Sequence, residues 1–387
     1  MDGPRLVIIL SDGIRGHVNQ SRGVASWLGR LCGARCLELD VPRLAGARRL
    51  VALKVFSRGL AAKGPEEAKR WLESAGGSDL GARARSFLGE GPEAFGNWLC
   101  LSAGSTAGPY GLALARVLGG RAATVMSPSV LGTAPFDFAI VPAHDFPPPA
   151  ENVFVTIGAP NAIDRERLAA ESESLFSAYP PRSSNRWGIL VGGDDANYRI
   201  TPEWAMDVVG RLACEAEKTG ADLYLTTSRR TAPETEQALE RLAGKASPFR
   251  MLFLASRDSS NPVPGMLGGC GEVFCTEDSV SMVSEAATAG FRVRILRVSR
   301  KAGLKRRLQD TAALLVRKGW LSRRSLWGAP RFDAMLEVFK SRGLATETFP
   351  WEKGGKAAAS ERHDFNEARD AAGWICREWE RKGSGAK

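Results

Sequence analysis

Three groups of residues in this chain have types and spacings suited to chemistry on a charged ligand. The first lies in Thr276–Gly290, TEDSVSMVSEAATAG. A short apolar run, Val273-Phe274-Cys275, opens through Asp278 and Ser279 into a helical pattern carried by Val280, Val283, Ala286 and Ala287. A helix that starts directly after a strand leaves its first N–H groups without intrahelical partners. Those donors, with the positive helix end, suit an anion. Ser279, Val280, Ser281 and Met282 would supply that backbone, and Glu285, two turns in, suits the two hydroxyls of a ribose diol. The plainer account of the same residues is an N-capped core helix, Asp278 or Ser279 the cap, with Glu285 in solvent.

The second group follows other apolar runs. Trp187-Gly188-Ile189-Leu190-Val191 leads into Gly192-Gly193, a glycine-bearing turn whose backbone can approach an anion, and Leu223-Tyr224-Leu225 leads into Ser228-Arg229-Arg230, whose guanidinium groups suit negative charge. The third group is Ser11-Asp12-Gly13-Ile14-Arg15-Gly16-His17. Gly13, Arg15 and Gly16 form a loop that suits a phosphate-bearing or polar ligand, and His17 suits general-base work because imidazole titrates near neutrality. Ser105 and His144 end two further runs. The chain has only three histidines; two of them at strand ends point toward proton transfer, against the usual structural role of a loop histidine.

These residues need strands that end side by side. Apolar runs at 6–10, 98–101, 122–126, 136–141 and 153–157 alternate with helical patterns, among them Asn19–Leu31 and Pro109–Leu118. The alternation predicts a parallel sheet with helices on both faces and ligands at the carboxyl ends of the strands. Tyr179–Arg186, YPPRSSNR, reads as a linker. The pattern then restarts, with strands at 187–191, 223–225, 251–254, 273–275 and 293–296 and helices opening near Pro202 and Pro233. The expected fold class is α/β, with Rossmann-like domains at 1–180 and 181–345. A tail at 346–387 ends in a helix near 367–381, with Ala371, Trp374, Ile375 and Trp379 on one face. The first loop lacks the full G-x-G-x-x-G, and no acidic residue is read at the end of a second strand, so a nicotinamide cofactor is not expected.

A formal charge of +10 calls for a partner or at least a reason, the options being nucleic acid, an anionic membrane surface and a phosphorylated substrate. Zinc-finger spacing and RNP aromatics are missing, so nucleic acid ranks behind a phosphorylated substrate and an anionic membrane. Residues 43–63 carry six basic side chains and no acidic one, interleaved with leucine, valine and phenylalanine. That composition suits a membrane surface, and equally a core helix with a solvated basic face. Residues 297–342 are also rich in Lys and Arg. The seven cysteines are scattered, Cys32-x3-Cys36 has no second pair, and histidines are few, so reduced thiols and no metal site are expected. No apolar run approaches membrane-spanning length, and the N-terminus lacks a signal-peptide pattern. The expected location is cytoplasmic, peripheral on the inner face of the cytoplasmic membrane; the oligomeric state stays open.

Gly13-Ile14-Arg15-Gly16-His17, Thr156-Ile157-Gly158-Ala159-Pro160-Asn161, Thr227-Ser228-Arg229-Arg230-Thr231 and Asp278–Ala286 together resemble the mitochondrial fission, elongated-mitochondria family and its bacterial relatives, in order over residues 6–340. The plan is similar to that of GT-B glycosyltransferases, which implies two Rossmann-like domains with parallel sheets facing an interdomain cleft. More distantly, the first loop and Val283-Ser284-Glu285 are similar to the lipid-linked N-acetylglucosaminyltransferase of peptidoglycan synthesis, with Arg15 where that loop has a glycine. This likeness implies Glu285 on the uridine ribose, the backbone of Ser279–Met282 on the diphosphate, and His17 by the acceptor. Glu277 and Glu285 have the E-x7-E spacing of retaining GT-B enzymes, while the rest of the reading leans to inversion. The implied activity is metal-independent transfer from a nucleotide-diphosphate sugar, a substrate rather than a cofactor, to a membrane-associated or cell-envelope glycan or lipid. A sugar-nucleotide 2-epimerase and a non-catalytic membrane-associated scaffold are the other classes left open.

Overall fold

The computed structural model describes residues 2–42, 53, 55–89, 96–128, 131–245, 248–258, 260–352 and 363–384. They form two compact units, Met1–Ala162 with Asn366–Lys387, and Ile163–Phe365.

The first unit is built on six strands: β1 (Leu6–Ser11), β2 (Arg35–Asp40), β3 (Trp98–Ala103), β4 (Arg121–Val125), β5 (Phe138–Pro142) and β6 (Val153–Thr156). All pair in parallel, in the order β2-β1-β3-β4-β5-β6. β1 and β3 are buried along their whole length, as continuous apolar strands of a parallel sheet should be. Their alternate side chains serve two cores. Val7 and Ile9 pack with Val24 and Leu28 of α1 (Arg15–Cys32), whereas Ile8 and Leu10 pack with Trp71 of α2 (Pro65–Ser74), Leu80 of α3 (Ser78–Leu88) and Tyr110 of α4 (Gly104–Leu118). α1 begins four residues before the expected Asn19, so Gly16 and His17 are helical rather than loop. β2 was not expected. It is an edge strand, half exposed, and it ends in Asp40, so an acidic residue does stand at the end of a second strand.

The terminal helix, α12 (Glu367–Ser384), belongs to this first unit rather than to a tail. Ala371, Ile375 and Trp379 are buried with α1 and the sheet. Trp374 meets Phe138 edge-on, at 5.6 Å between ring centroids, and Arg121 lies 4.2 Å over the Trp379 ring. Of the basic segment 43–63, residues 43–52 and 54 lie outside the described residues. Of the rest, Leu53 and Leu60 are core, and Val55 and Phe56 are exposed.

The second unit has strands β7 (Arg186–Leu190), β8 (Tyr198–Arg199), β9 (Asp222–Thr226), β10 (Phe249–Phe253), β11 (Glu272–Thr276), β12 (Val293–Leu296), β13 (Ser299–Arg300) and β14 (Ala345–Thr346). Six make a parallel sheet ordered β10-β9-β7-β11-β12-β14, a doubly wound Rossmann-like arrangement, while β8 and β13 pair antiparallel beside it. The helices are α5 (Leu168–Ala178), α6 (Gly210–Thr219), α7 (Pro233–Lys245), α8 (Val263–Gly269), α9 (Val280–Thr288), α10 (Leu304–Arg317) and α11 (Ala329–Ser341). Pro202 opens the helical run that leads into α6, with Thr201 Oγ1 accepting from Trp204 N at 3.2 Å.

The division between units falls at 162/163, not at 180. The expected linker is anchored inside the second unit: Arg182 N and Ser183 N donate to Asp222 Oδ2, and Tyr224 Oη donates to the Tyr179 carbonyl. α5, just before it, packs against α8 so closely that a Cβ on Gly268 would overlap the Leu168 carbonyl oxygen.

Candidate functional sites

In the second sheet, β7 and β11 are neighbours whose chains leave in opposite directions, to β9 on one side and β12 on the other. Such a switch point is where doubly wound sheets bind ligands, at the carboxyl ends of the strands. Val191–Gly193 follows β7, and Glu277–Ser279 followed by α9 comes after β11. The structure therefore brings Gly192, Gly193, Asp278, Ser279, Val280, Ser281, Met282 and Glu285 to one place, and Ser228-Arg229-Arg230 reaches it from the end of β9.

Within that place the roles differ from the expectation. Gly192 and Gly193 do not cradle an anion with their N–H groups, which already donate to Thr276 Oγ1 at 2.7 Å and to Asp278 Oδ2 at 2.9 Å. They are glycines because their neighbours sit too near for a side chain. A Cβ on Gly192 would stand 2.2 Å from Asp278 Oδ2, and one on Gly193 would stand 2.1 Å from the Arg230 carbonyl carbon. Arg230 donates to Asp278 Oδ2 at 3.0 Å and to the Gly193 carbonyl at 2.9 Å. The loop is thus a closed bracket around a buried aspartate, with the positive charge of Arg230 at its mouth. Ser228 belongs to the same bracket through its hydroxyl, which accepts from Arg230 N at 3.1 Å, and Arg229 is exposed.

The start of α9 keeps its expected character. Ser279 is the N-cap, and no side chain caps the helix. Asp278 faces away, toward Gly193 and Arg230, so helix geometry leaves the N–H groups of Val280, Ser281 and Met282 without an intrahelical acceptor. Glu285 is not in solvent; it is buried, and Ser281 Oγ lies 3.5 Å from Glu285 Oε1. Both halves of the capped-helix account are therefore displaced. Glu277 is taken elsewhere: its carboxylate accepts from Val298 N at 2.9 Å and from Arg297 Nη1 at 2.5 Å. Burial works against charge on Arg297, but the hydrogen bonds it donates to Glu347 and Glu277 raise its pKa above the ordinary value. The E-x7-E pair is a spacing without a shared site.

The first sheet has its own switch point, between β1 and β3. Gly13, with φ +78, turns the chain out of β1 into α1, and Arg15 is exposed beside it. His17 Nδ1 lies 2.8 Å from Asp12 Oδ2, and Asp12 is nearly inaccessible, its Oδ1 accepting from Ile14 N at 3.0 Å. The ring rests on the start of α4, where a Cβ on Gly104 would come within 2.7 Å of His17 Cε1 and Nδ1. A carboxylate on Nδ1 fixes the tautomer that leaves Nε2 as the basic nitrogen. Gly16 and Ser105 flank this dyad, one residue from His17 and from Gly104. Asp12 was missed as a functional residue; the signal for it was an aspartate and a histidine five apart at a strand end. His144 follows β5, three strand spacings from β1, on the order of 14 Å at the usual interstrand distance. The structure does not bring it to His17.

The Thr156–Asn161 motif is a joint rather than a site. Ile157 N and Gly158 N donate to Glu367 Oε1 at 2.7 and 3.3 Å, and a Cβ on Gly23 of α1 would strike the Asn161 carbonyl. Among the described residues no cluster suited to a metal ion occurs, and no helix is long and apolar enough to cross a membrane.

Solved structures that align with most of the chain include a UDP-GlcNAc 2-epimerase from Neisseria meningitidis bound to UDP-GlcNAc, at 12% identity and TM-score 0.44 over 87% of this chain and 99% of that one. Others are a UDP-glucosyltransferase from Polygonum tinctorium (12%, TM-score 0.45, 98% and 99%) and a glycosyl transferase family 9 protein from Veillonella parvula (9%, TM-score 0.39, 89% and 98%). At these scores they add nothing to what the two sheets themselves establish. No curated protein matches the chain. The profile of one family does, over residues 15–379, a span that takes in His17, the switch point of the second sheet, the Thr156–Asn161 joint and α12 as far as Trp379: the chain belongs to the mitochondrial fission ELM1 family.

Proposed function

We propose that the chain is a GT-B-like glycosyltransferase whose second unit binds a nucleotide-diphosphate sugar and whose first unit takes the acceptor. One observation carries this reading: the uncapped N-terminus of α9 stands at a switch point with a buried glutamate in the second turn of the same helix. The N–H groups of Val280–Met282 would receive the diphosphate and Glu285 the ribose hydroxyls. Arg230 would add charge at the leaving group, and a single well-placed donor there contributes about 3 kcal/mol. Arg230 and Gly193 N hold the Asp278 carboxylate through Oδ2, on the side of the β7 loop. Helix end and arginine supply the positive charge, so the reading needs no metal. His17, oriented by Asp12, would take the acceptor hydroxyl proton on Nε2. The acceptor oxygen then bonds to the anomeric carbon, and the nucleoside diphosphate leaves with the electrons of the broken bond. The acceptor class is a membrane-associated or cell-envelope glycan or lipid.

Calorimetry with UDP, GDP, CMP and their sugars, on the wild type and Glu285→Gln, tests this. Saturable binding of one nucleoside diphosphate, weakened about tenfold or more in the variant, is expected from loss of a charged hydrogen-bond acceptor. Turnover of a sugar nucleotide without acceptor would make the chain an epimerase. No binding across the panel would leave the non-catalytic scaffold.

A further inference from the structure

Helix α10 and the loop after it present a surface that the core does not use. Of residues Leu304–Arg317 only Gln309 is buried, held by Nε2 on Asn197 Oδ1 at 3.1 Å. Leu304 and Leu308, one helical turn apart, are 73% and 53% exposed, and Trp320 and Leu321 beyond the helix are 71% and 40% exposed. A helix folded for its own core would turn those leucines inward.

Charge surrounds them. Residues 301–325 hold eight Lys and Arg and one acidic residue, Asp310. Asp310 is already shared by Arg306 at 3.5 Å and Arg300 at 3.8 Å. Among the described residues Arg307, Arg317, Lys318, Arg323 and Arg324 have no ion-pair partner. Lys318 Nζ lies 5.2 Å from the centre of the Trp320 ring, placing cation and indole together. Lys301 Nζ and Lys305 Nζ donate to the Asp195 and Ala196 carbonyls at 2.7 and 3.0 Å, which fixes the segment to the loop that follows β7.

We infer that residues 301–324 dock on an anionic phospholipid bilayer. Leu304, Leu308, Trp320 and Leu321 enter the boundary between headgroups and acyl chains, and Arg307, Arg317, Lys318, Arg323 and Arg324 meet lipid phosphates. The charge selects this occupant. A second copy of a chain with net charge +10 would set like charge against like, whereas an anionic leaflet complements every free cation of the patch.

The test is flotation of the full chain with vesicles of phosphatidylcholine alone and of phosphatidylcholine mixed with phosphatidylglycerol. The wild type is expected on the anionic vesicles only, and to be released by salt. Leu304→Ser/Leu308→Ser and, separately, Arg323→Glu/Arg324→Glu are expected to lower the partition by about tenfold or more. All four positions are exposed, so circular dichroism should be unchanged. Trp320→Phe should remove the blue shift of tryptophan emission on anionic vesicles. Three results overturn the inference: no partition of the wild type, partition of both double variants equal to the wild type, or self-association lost in the leucine variant without any vesicle binding.

Discussion

In the proposed transfer, one hydrogen bond between Asp12 and His17 would set the proton traffic. The Asp12 side chain is close to fully buried beside a partly buried imidazole, and it reaches Nδ1, not Nε2. Replacing it by Asn keeps an oxygen for Ile14 N but removes the charge that fixes the tautomer. Asp12→Asn is therefore expected to slow sugar transfer by about 10²–10⁴, the usual weight of a positioned base. Donor affinity, which the proposed reading assigns to the second unit, should be unchanged. Steady-state kinetics together with donor calorimetry separates the two; equal loss of both would make Asp12 a folding residue only. In the sequence Asp12 reads as a turn former before glycine, so the histidine was legible and its orienter was not. Gly192 and Gly193 show the converse. Their type was legible, but whether a glycine pair meets a ligand or a neighbouring carboxylate depends on where Asp278 points, and no local pattern carries that.

At the scale of elements, apolar runs located ten of the twelve sheet strands, because central strands of a parallel sheet are buried on both faces and read as unbroken hydrophobic stretches. The exceptions are edge strands. β2, RCLELD, mixes charge with apolar residues because one side faces water, and β14 is only two residues long. Helix starts at α1 and α4 were placed late, since glycine, histidine and small polar residues in a first turn look like loop. Glu367 tests what the sequence could not show, a join between the last helix and the end of β6. Its Oε1 receives both Ile157 N and Gly158 N, the latter buried. Glu367→Ala leaves two backbone donors without that acceptor, at about 1–3 kcal/mol for a buried group left unpaired. Chemical denaturation should show that loss in the first unit, with the slope unchanged, and Glu367→Gln should recover part of it.

For the molecule as a whole, the chain closes its first unit with its own last helix. A polar stretch before α12 made it read as an appended tail, yet Ala368, Ala371, Ala372, Ile375, Cys376 and Trp379 are all buried with α1 and the first sheet. Burying an isoleucine or other large apolar side chain contributes about 1.5–3 kcal/mol, so this face accounts for several kcal/mol. That is comparable to the whole stability of an ordinary domain, about 5–15 kcal/mol. The second unit draws no residue from α12. A chain ending at Phe365 is therefore expected to lose the first unit and keep the second. Limited proteolysis should degrade residues before 163 while a fragment near 163–365 persists, and, on the proposed reading of the second unit, that fragment should bind a nucleoside diphosphate as the intact chain is expected to. A truncated chain that keeps both units protected would mean that the sheet and α1 hold without their last partner. The reach of the family match to residue 379 would then need a reason other than stability.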